Sequence, residues 1–160
     1  MTLSRYFPTT PGALFPTYRG GPSDAFVVTL SPRGDRLLYG SFFGGRLADG
    51  ATAMARDPSG RLVLVGWTWS PDLPVAGAVQ SLPSGPTYAF VARLDPARAR
   101  VEYATYLGGV GKDAAEAVAI DPSGAIVVAA PHRLGRLPGP SGCATGVPRR
   151  HRQHGLPMPV

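Results

Sequence analysis

Ten acidic side chains, three histidines and one cysteine are the groups in this chain with the chemistry to move a proton, attack an electrophile or hold a metal. Hydrolysis of a glycoside, for example, takes two carboxylates placed across one bond. Asp57 and Asp121, however, each open an Asp-Pro-Ser-Gly tetrad, and Asp49 and Asp113 stand a few residues upstream of them at matching places. A carboxylate that recurs in every copy of a repeated text is explained by a turn or a strand entry, whereas a site specific to one copy would be unrepeated. Glu102 and Glu116 fall on polar positions of strands. The stretch "GGVGKDA" (108–114) approaches a phosphate-binding loop, but that motif needs Gly where Tyr106 stands and Ser or Thr where Asp113 stands. Its counterpart "GGRLADG" lacks even the Lys, so a turn between strands is expected.

His132, His151, His154 and Cys143 carry zinc-ligand chemistry, yet their spacing matches no paired-ligand pattern. One cysteine makes no internal disulfide. Trp67, Trp69, Phe42, Phe43, Tyr103 and Tyr106 could stack on sugars, but half the residues of each strand must face a neighbouring layer, so packing is their expected role. No catalytic, cofactor-binding or metal-binding residue is assigned, and no cofactor is expected.

The elements that carry these residues come from a repeat. Residues 24–45 ("DAFVVTLSPRGDRLLYGSFFGG") lie over 88–109 ("YAFVARLDPARARVEYATYLGG"), and 49–66 over 113–130, all at an offset of 64. The first residues, "TLSRYFPTTPGAL", match "TWSPDLPVAGAV" from Thr68 onward at 66 falling to 65. Each unit is predicted to hold four short strands. Phe26, Val28 and Leu30 alternate with Val27 and Thr29, "SPRGD" turns the chain, and "RLLYGSFF" returns. "ATAMAR" then passes through 57–60, where Asp, Pro and Gly occupy the first, second and fourth places of a type I turn, into "RLVLVGW". The Ala-rich "DAAEAVAI" is assigned as strand because its counterpart carries Gly50 and Thr52.

Composition agrees with such a fold. With 21 Gly and 18 Pro among 160 residues, the chain is full of turns and poor in sites for long helices. The formal charge of +6 suggests a nucleic-acid partner, but residues 1–130 hold 11 Lys+Arg against all 10 acids. The excess lies in 131–160, with five Arg and no acid. That stretch has no aromatic residue to stack on bases, and a disordered basic tail is expected. No apolar run reaches a membrane span, and the first residues lack the apolar core of a secretory signal.

"FPTTPGAL", "DAFVVTLSP", "YATYLGG" and "AIDPSGAIVVA" resemble the SBBP β-propeller repeats of bacterial proteins. The resemblance covers about 2–130. It implies a β-propeller architecture, an exported or cell-surface parent protein, and no catalytic residues that travel with the repeat. The expected organisation is a partial repeat and entry loop (1–23), repeat one (24–87), an incomplete repeat two (88–130) and the basic tail (131–160). The fold class expected is all-β: two four-stranded antiparallel propeller-type blades of an incomplete propeller. Since propellers take about 4–8 blades to close, the chain is expected to be a fragment that begins inside a repeat at Met1. After Ala130 the repeat pattern calls for T-x-S-x-D-F-P, and the residues present can encode that text one base out of frame, so the tail is expected to be out-of-frame sequence.

The function expected is that of a scaffold or recognition module, not an enzyme, meeting protein or carbohydrate through its loop faces. Loops 7–23 and 71–87 are the first candidates, and self-association through open strand edges is expected. Two alternatives come from other classes. An enzyme would have its site across blades absent here, and a nucleic-acid binder would act through "PRRHRQH" (148–154).

Overall fold

The computed structural model describes residues 1–83 and 85–131. The tail expected to be disordered, with His132, Cys143, His151 and His154, lies outside the described residues. The described part is all-β and antiparallel, with eight strands: β1 (Ala25–Leu30), β2 (Leu37–Phe43), β3 (Asp49–Arg56), β4 (Leu62–Thr68), β5 (Tyr88–Asp95), β6 (Arg100–Leu107), β7 (Ala117–Ile120) and β8 (Ile126–Ala129). Each falls where the repeat predicts it, but of the Ala-rich segment 113–120 only 117–120 is strand, so Glu116, expected on a strand, precedes β7.

Local chemistry closes the hairpins. Before β4 and β8 the two tetrads form the same turn: the Gly60 N–H donates to the Asp57 carbonyl at 3.0 Å, and Gly124 to Asp121 at 2.9 Å. Both glycines sit at φ +88°, a left-handed conformation that glycine adopts without a Cβ penalty. Between β5 and β6 the turn is instead a short 3-10 segment, Pro96–Arg98, capped by the Asp95 carboxylate, which accepts from the Arg98 N–H at 3.2 Å.

The strands group differently from the expectation of one sheet per repeat. β1 and β2 form a two-stranded sheet, β3-β4-β5-β6 form a four-stranded sheet in that order, and β7 and β8 form a second pair. The complete sheet is therefore built from the second half of one sequence unit and the first half of the next. The reason lies in the two connections. Residues 44–48 bend sharply at Gly44 and Gly45, where the Asp49 carboxylate accepts the Gly45 N–H at 2.7 Å, and this corner carries the chain out of one sheet into the adjacent layer. The longer segment 69–87 is the one that brings the chain back beside β4. Sequence proximity favoured the short link as the in-sheet connection, and backbone geometry at the Gly-Gly corner reversed that.

Loops 7–23 and 71–87 are not free projections. Each runs along the outer strand of a sheet as a strap. Thr10 N–H donates to the Gly40 carbonyl on β2 at 3.1 Å, and Ala76 and Ala104 of β6 exchange both backbone bonds at 3.1 and 2.8 Å. Phe42 N–H donates to Phe15 at 3.0 Å and Tyr106 N–H to Gln80 at 3.1 Å. In turn, the Phe15 and Gln80 amides donate to the hydroxyls of Ser41 and Thr105 at 3.0 and 2.9 Å. These equivalent pairs follow the sequence offsets of 64 to 66 bond for bond, and they cover edges that would otherwise invite pairing with other chains.

The four-stranded sheet is covered on both faces. Leu62, Leu64, Tyr88, Phe90, Ala92 and Leu94 pack toward Ala25, Val27 and Phe43 of the β1–β2 pair. Val63, Val65, Ala89 and Val91, the alternating set, pack toward Ala115, Val118, Ile120, Ile126 and Val128 on the β7–β8 side. That alternation is why β4 and β5 read as nearly unbroken apolar runs. Three sheets therefore stack face to face.

Within the four-stranded sheet the paired strand β3, irregular in register between Ala51 and Ala53, leaves no room at Gly66, where a Cβ would stand 2.0 Å from the Gly50 carbonyl oxygen and 2.9 Å from the Ala51 Cα. Gly66→Ala is expected to cost about 2–3 kcal/mol by overpacking, measured as a drop in the urea midpoint. A loss below 0.5 kcal/mol would mean that β3 does not press on β4 as described.

Candidate functional site

Besides the Asp95–Arg98 pair within one turn, two places among the described residues bring ionisable groups together, and neither is centred on the loops first considered. The first is a cleft of about 510 Å³ between the two Asp-Pro-Ser-Gly turns of neighbouring sheets, lined by Arg56, Asp57, Arg61, Arg93, Asp121 and Ser123 among others. Behind its wall Arg93 pairs with Asp57 and lies 3.4 Å from Glu102, while Arg61 and Arg100 reach Glu102 at 2.8 and 2.9 Å. β4, β5 and β6 each supply or flank one member, because the antiparallel register sets Val63 beside Arg93 and Arg93 beside Tyr103. The hydroxyl of Ser59, the Arg93 guanidinium and the Arg61 amide hold the Asp57 carboxyl down at about 2. Asp121, its repeat mate, is likewise lowered, by the Ser123 hydroxyl and the Ala125 amide, without any arginine.

Apart from Arg100, which answers to Arg36, the arginines here are the unrepeated element. At the offset of 64, Arg56 answers to Ile120, Arg61 to Ala125, Arg93 to Thr29 and Glu102 to Leu38. Glu102, taken from the sequence as a polar strand position, is the hub of an ion-pair network. The signal available in the sequence was the break in the repeat itself. Chemically the network is a fixed wall in which three arginines share two carboxylates, leaving one positive charge in excess. Arg56 stands exposed at its mouth, where it can meet an acidic or hydroxyl-rich partner group.

The second place is a pair of buried carboxylates at the Gly44 corner. A Cβ on Gly44 would lie 2.7 Å from both Asp24 Oδ1 and Asp49 Oδ2, so the two oxygens are separated by no more than twice that distance. Asp49 is well satisfied: Thr68 donates its hydroxyl to one oxygen, and Gly45 N–H and Ser70 Oγ donate to the other at 2.7 and 2.9 Å. Asp24 receives the Arg19 N–H at 2.7 Å on Oδ2, but its Oδ1 is buried without a hydrogen-bond partner. Burial above all, with the neighbouring Asp49 charge adding to it, pushes the Asp24 carboxyl up to about 6; burial also raises that of Asp49. Two acids with opposed hydrogen-bond support resemble an acid–base arrangement. Both residues are fully buried, however, and their partners are corner and strand-end groups of the fold.

The remaining candidates take structural places. Segment 108–114 connects β6 to β7, with the Asp113 carboxylate accepting the Gly109 N–H at 2.9 Å in copy of Asp49. Phe42, Phe43 and Tyr106 are buried, and the Tyr106 hydroxyl donates to the Ser70 carbonyl and accepts from the Leu73 amide. Tyr103 packs in the second core and Trp67 lies over Gly50. Trp69 departs from the expected packing and is about half exposed. Glu116 is exposed. Among the described residues no group of three or more His, Cys, Asp or Glu could hold a metal, and no helix is long and apolar enough to cross a membrane. No family model matches the chain, and comparison with curated proteins and solved structures returns no match.

The two places have opposite acid–base signatures. Asp24, raised above its ordinary 3.8, binds its proton more tightly folded than unfolded, so the stability it contributes is present below that value and lost as pH rises through about 6. Asp24→Asn keeps an acceptor for Arg19 and is expected to gain about 1–2 kcal/mol at pH 7 and little at pH 4. Thermal unfolding at both pH values tests this, and an equal effect at the two would refute it. Asp57, depressed to about 2, contributes stability above 3.8 that is lost as pH falls through its folded value. With Arg93→Met the protein should start less stable at pH 7 and lose less between pH 4 and 2 than the parent. Parallel acid-unfolding curves would show that Arg93 does not set the Asp57 proton affinity.

Proposed function

We propose that this chain is a propeller-type repeat scaffold, a non-catalytic recognition module of a larger bacterial protein. The observation that carries the reading is the face-to-face stack in which each unit rebuilds the same Gly-Gly corner, the same strap and the same Asp-Pro-Ser-Gly turn. Construction of that kind makes a rigid frame out of each repeat and leaves variation to the unrepeated positions. The straps bind their own backbone to β2 and β6, which favours a recognition surface at the turn end, around the cleft between 57–60 and 121–124, over one on loops 7–23 and 71–87. The partner that fits it is a protein or carbohydrate presenting acidic or hydroxyl groups to Arg56.

The propeller-type reading is tested by length. Further copies of the unit 67–130 are joined in frame after Ala130, and the maximum dimension is followed by small-angle X-ray scattering. A closing array should stop lengthening after a few units. An open stack would grow by about 10 Å per added sheet, and that outcome would overturn the reading.

A further inference from the structure

We propose that a second copy of this chain docks head to tail, its β8 pairing antiparallel with β1 of the first, so that β7-β8 and the neighbouring β1-β2 complete a four-stranded sheet. The template is inside the molecule. β4 and β5 are the counterparts of β8 and β1, and they pair from Leu62↔Leu94 to Thr68↔Tyr88. Carried over by 64 residues, that register sets Ile126 beside Leu30, Val127 beside Thr29, Val128 beside Val28, Ala129 beside Val27 and Ala130 beside Phe26.

A second observation fixes the same register independently. Thr2, the counterpart of Thr68, already bridges Asp24, the counterpart of Tyr88: Thr2 N–H donates to the Asp24 carbonyl at 2.8 Å and Asp24 N–H to Thr2 at 3.1 Å. The chain's own first residues thus occupy the far end of the β1 edge and leave 26–30 open. An incoming β8 fills that gap as far as Ala130, because Pro131 has no N–H to donate. The docking would cover Leu30 and Val127, which are 53% and 58% exposed. A second copy is the occupant with the matching strand.

Docking of this kind is heterologous, so copies join as rings or filaments and not as two-fold dimers. The proposal borrows from the scaffold reading only the equivalence of the strand pairs. The test uses the full chain with Cys143→Ser, carrying Thr29→Cys, Val127→Cys or both, under mild oxidation. Opposed residues of antiparallel strands lie within disulfide reach. The double variant should give a ladder of covalent multimers and each single variant only monomer, while an equal mixture of the two singles should give covalent dimer. In the cysteine-free parent, sedimentation should show assembly that grows with concentration and is lost in Val127→Lys, a substitution at an exposed position outside the core. Dimers from either single variant would mean symmetric docking, and a parent that stays monomeric at every concentration would mean none. Either result overturns the proposal, while leaving the added-unit scattering experiment to judge the scaffold reading by itself.

Discussion

The Asp49 carboxylate holds the corner on which the layering depends. By accepting from the Gly45 amide it bends residues 44–48 into a step between sheets, and by accepting from Thr68 and Ser70 it ties that step to the far end of β4. Without a side-chain acceptor there, the amides of a Gly-Gly corner buried between layers would have no partner, at a cost of about 1–3 kcal/mol each. Asp113 repeats the bond to Gly109 one unit later. A carboxylate is suited to this because its two oxygens accept several donors at once, and the low dielectric that raises its proton affinity also strengthens those bonds.

From that corner the rest follows by packing. A chain that must change layers after every second strand pairs the second half of one unit with the first half of the next, so each sheet interlocks two repeats. β4 and β5, buried on both faces, carry the largest apolar share, with Phe43 and Phe90 in contact at 5.3 Å between ring centroids. The straps finish the construction by pairing the outer strand with chain that would otherwise be loop. Such interlocking explains why the repeat is stronger in backbone bonds than in side-chain identity: Ser41 and Thr105, or Thr10 and Ala76, perform the same task with different residues.

Charge is distributed by the same logic. Repeated carboxylates serve the fold: Asp49 and Asp113 at corners, Asp57 and Asp121 in turns. Unrepeated charges gather where two sheets open toward solvent, in the Arg61, Arg93 and Glu102 network behind the cleft. Exposed ion pairs add little stability singly, but Arg93 is only 19% exposed and bridges two carboxylates, so it sets the geometry of the wall. Asp24 is the exception, a buried acid with one unpartnered oxygen. Tyr88 stands in its place in the next unit, so the strain of burying it belongs to one copy alone.

Strand positions, turn chemistry and the repeat were legible in the sequence, because alternation and the Asp-Pro-Ser-Gly tetrads are local signals that fix φ and ψ within a few residues. The structural duty of the repeated aspartates was legible for the same reason. Sheet membership was not, since it depends on which way the Gly-Gly corner turns, and glycine leaves that choice to its surroundings. Nor were the straps, whose bonds join residues about 25 to 30 positions apart, such as Gln80 with Thr105 and Thr10 with Gly40. Arg61 precedes β4, Arg93 lies on β5 and Glu102 on β6, and only the cross-strand register brings both arginines within 4 Å of Glu102. What sequence determines here is therefore set by neighbours along the chain, and what tertiary structure decides is set by the layer into which each hairpin is turned.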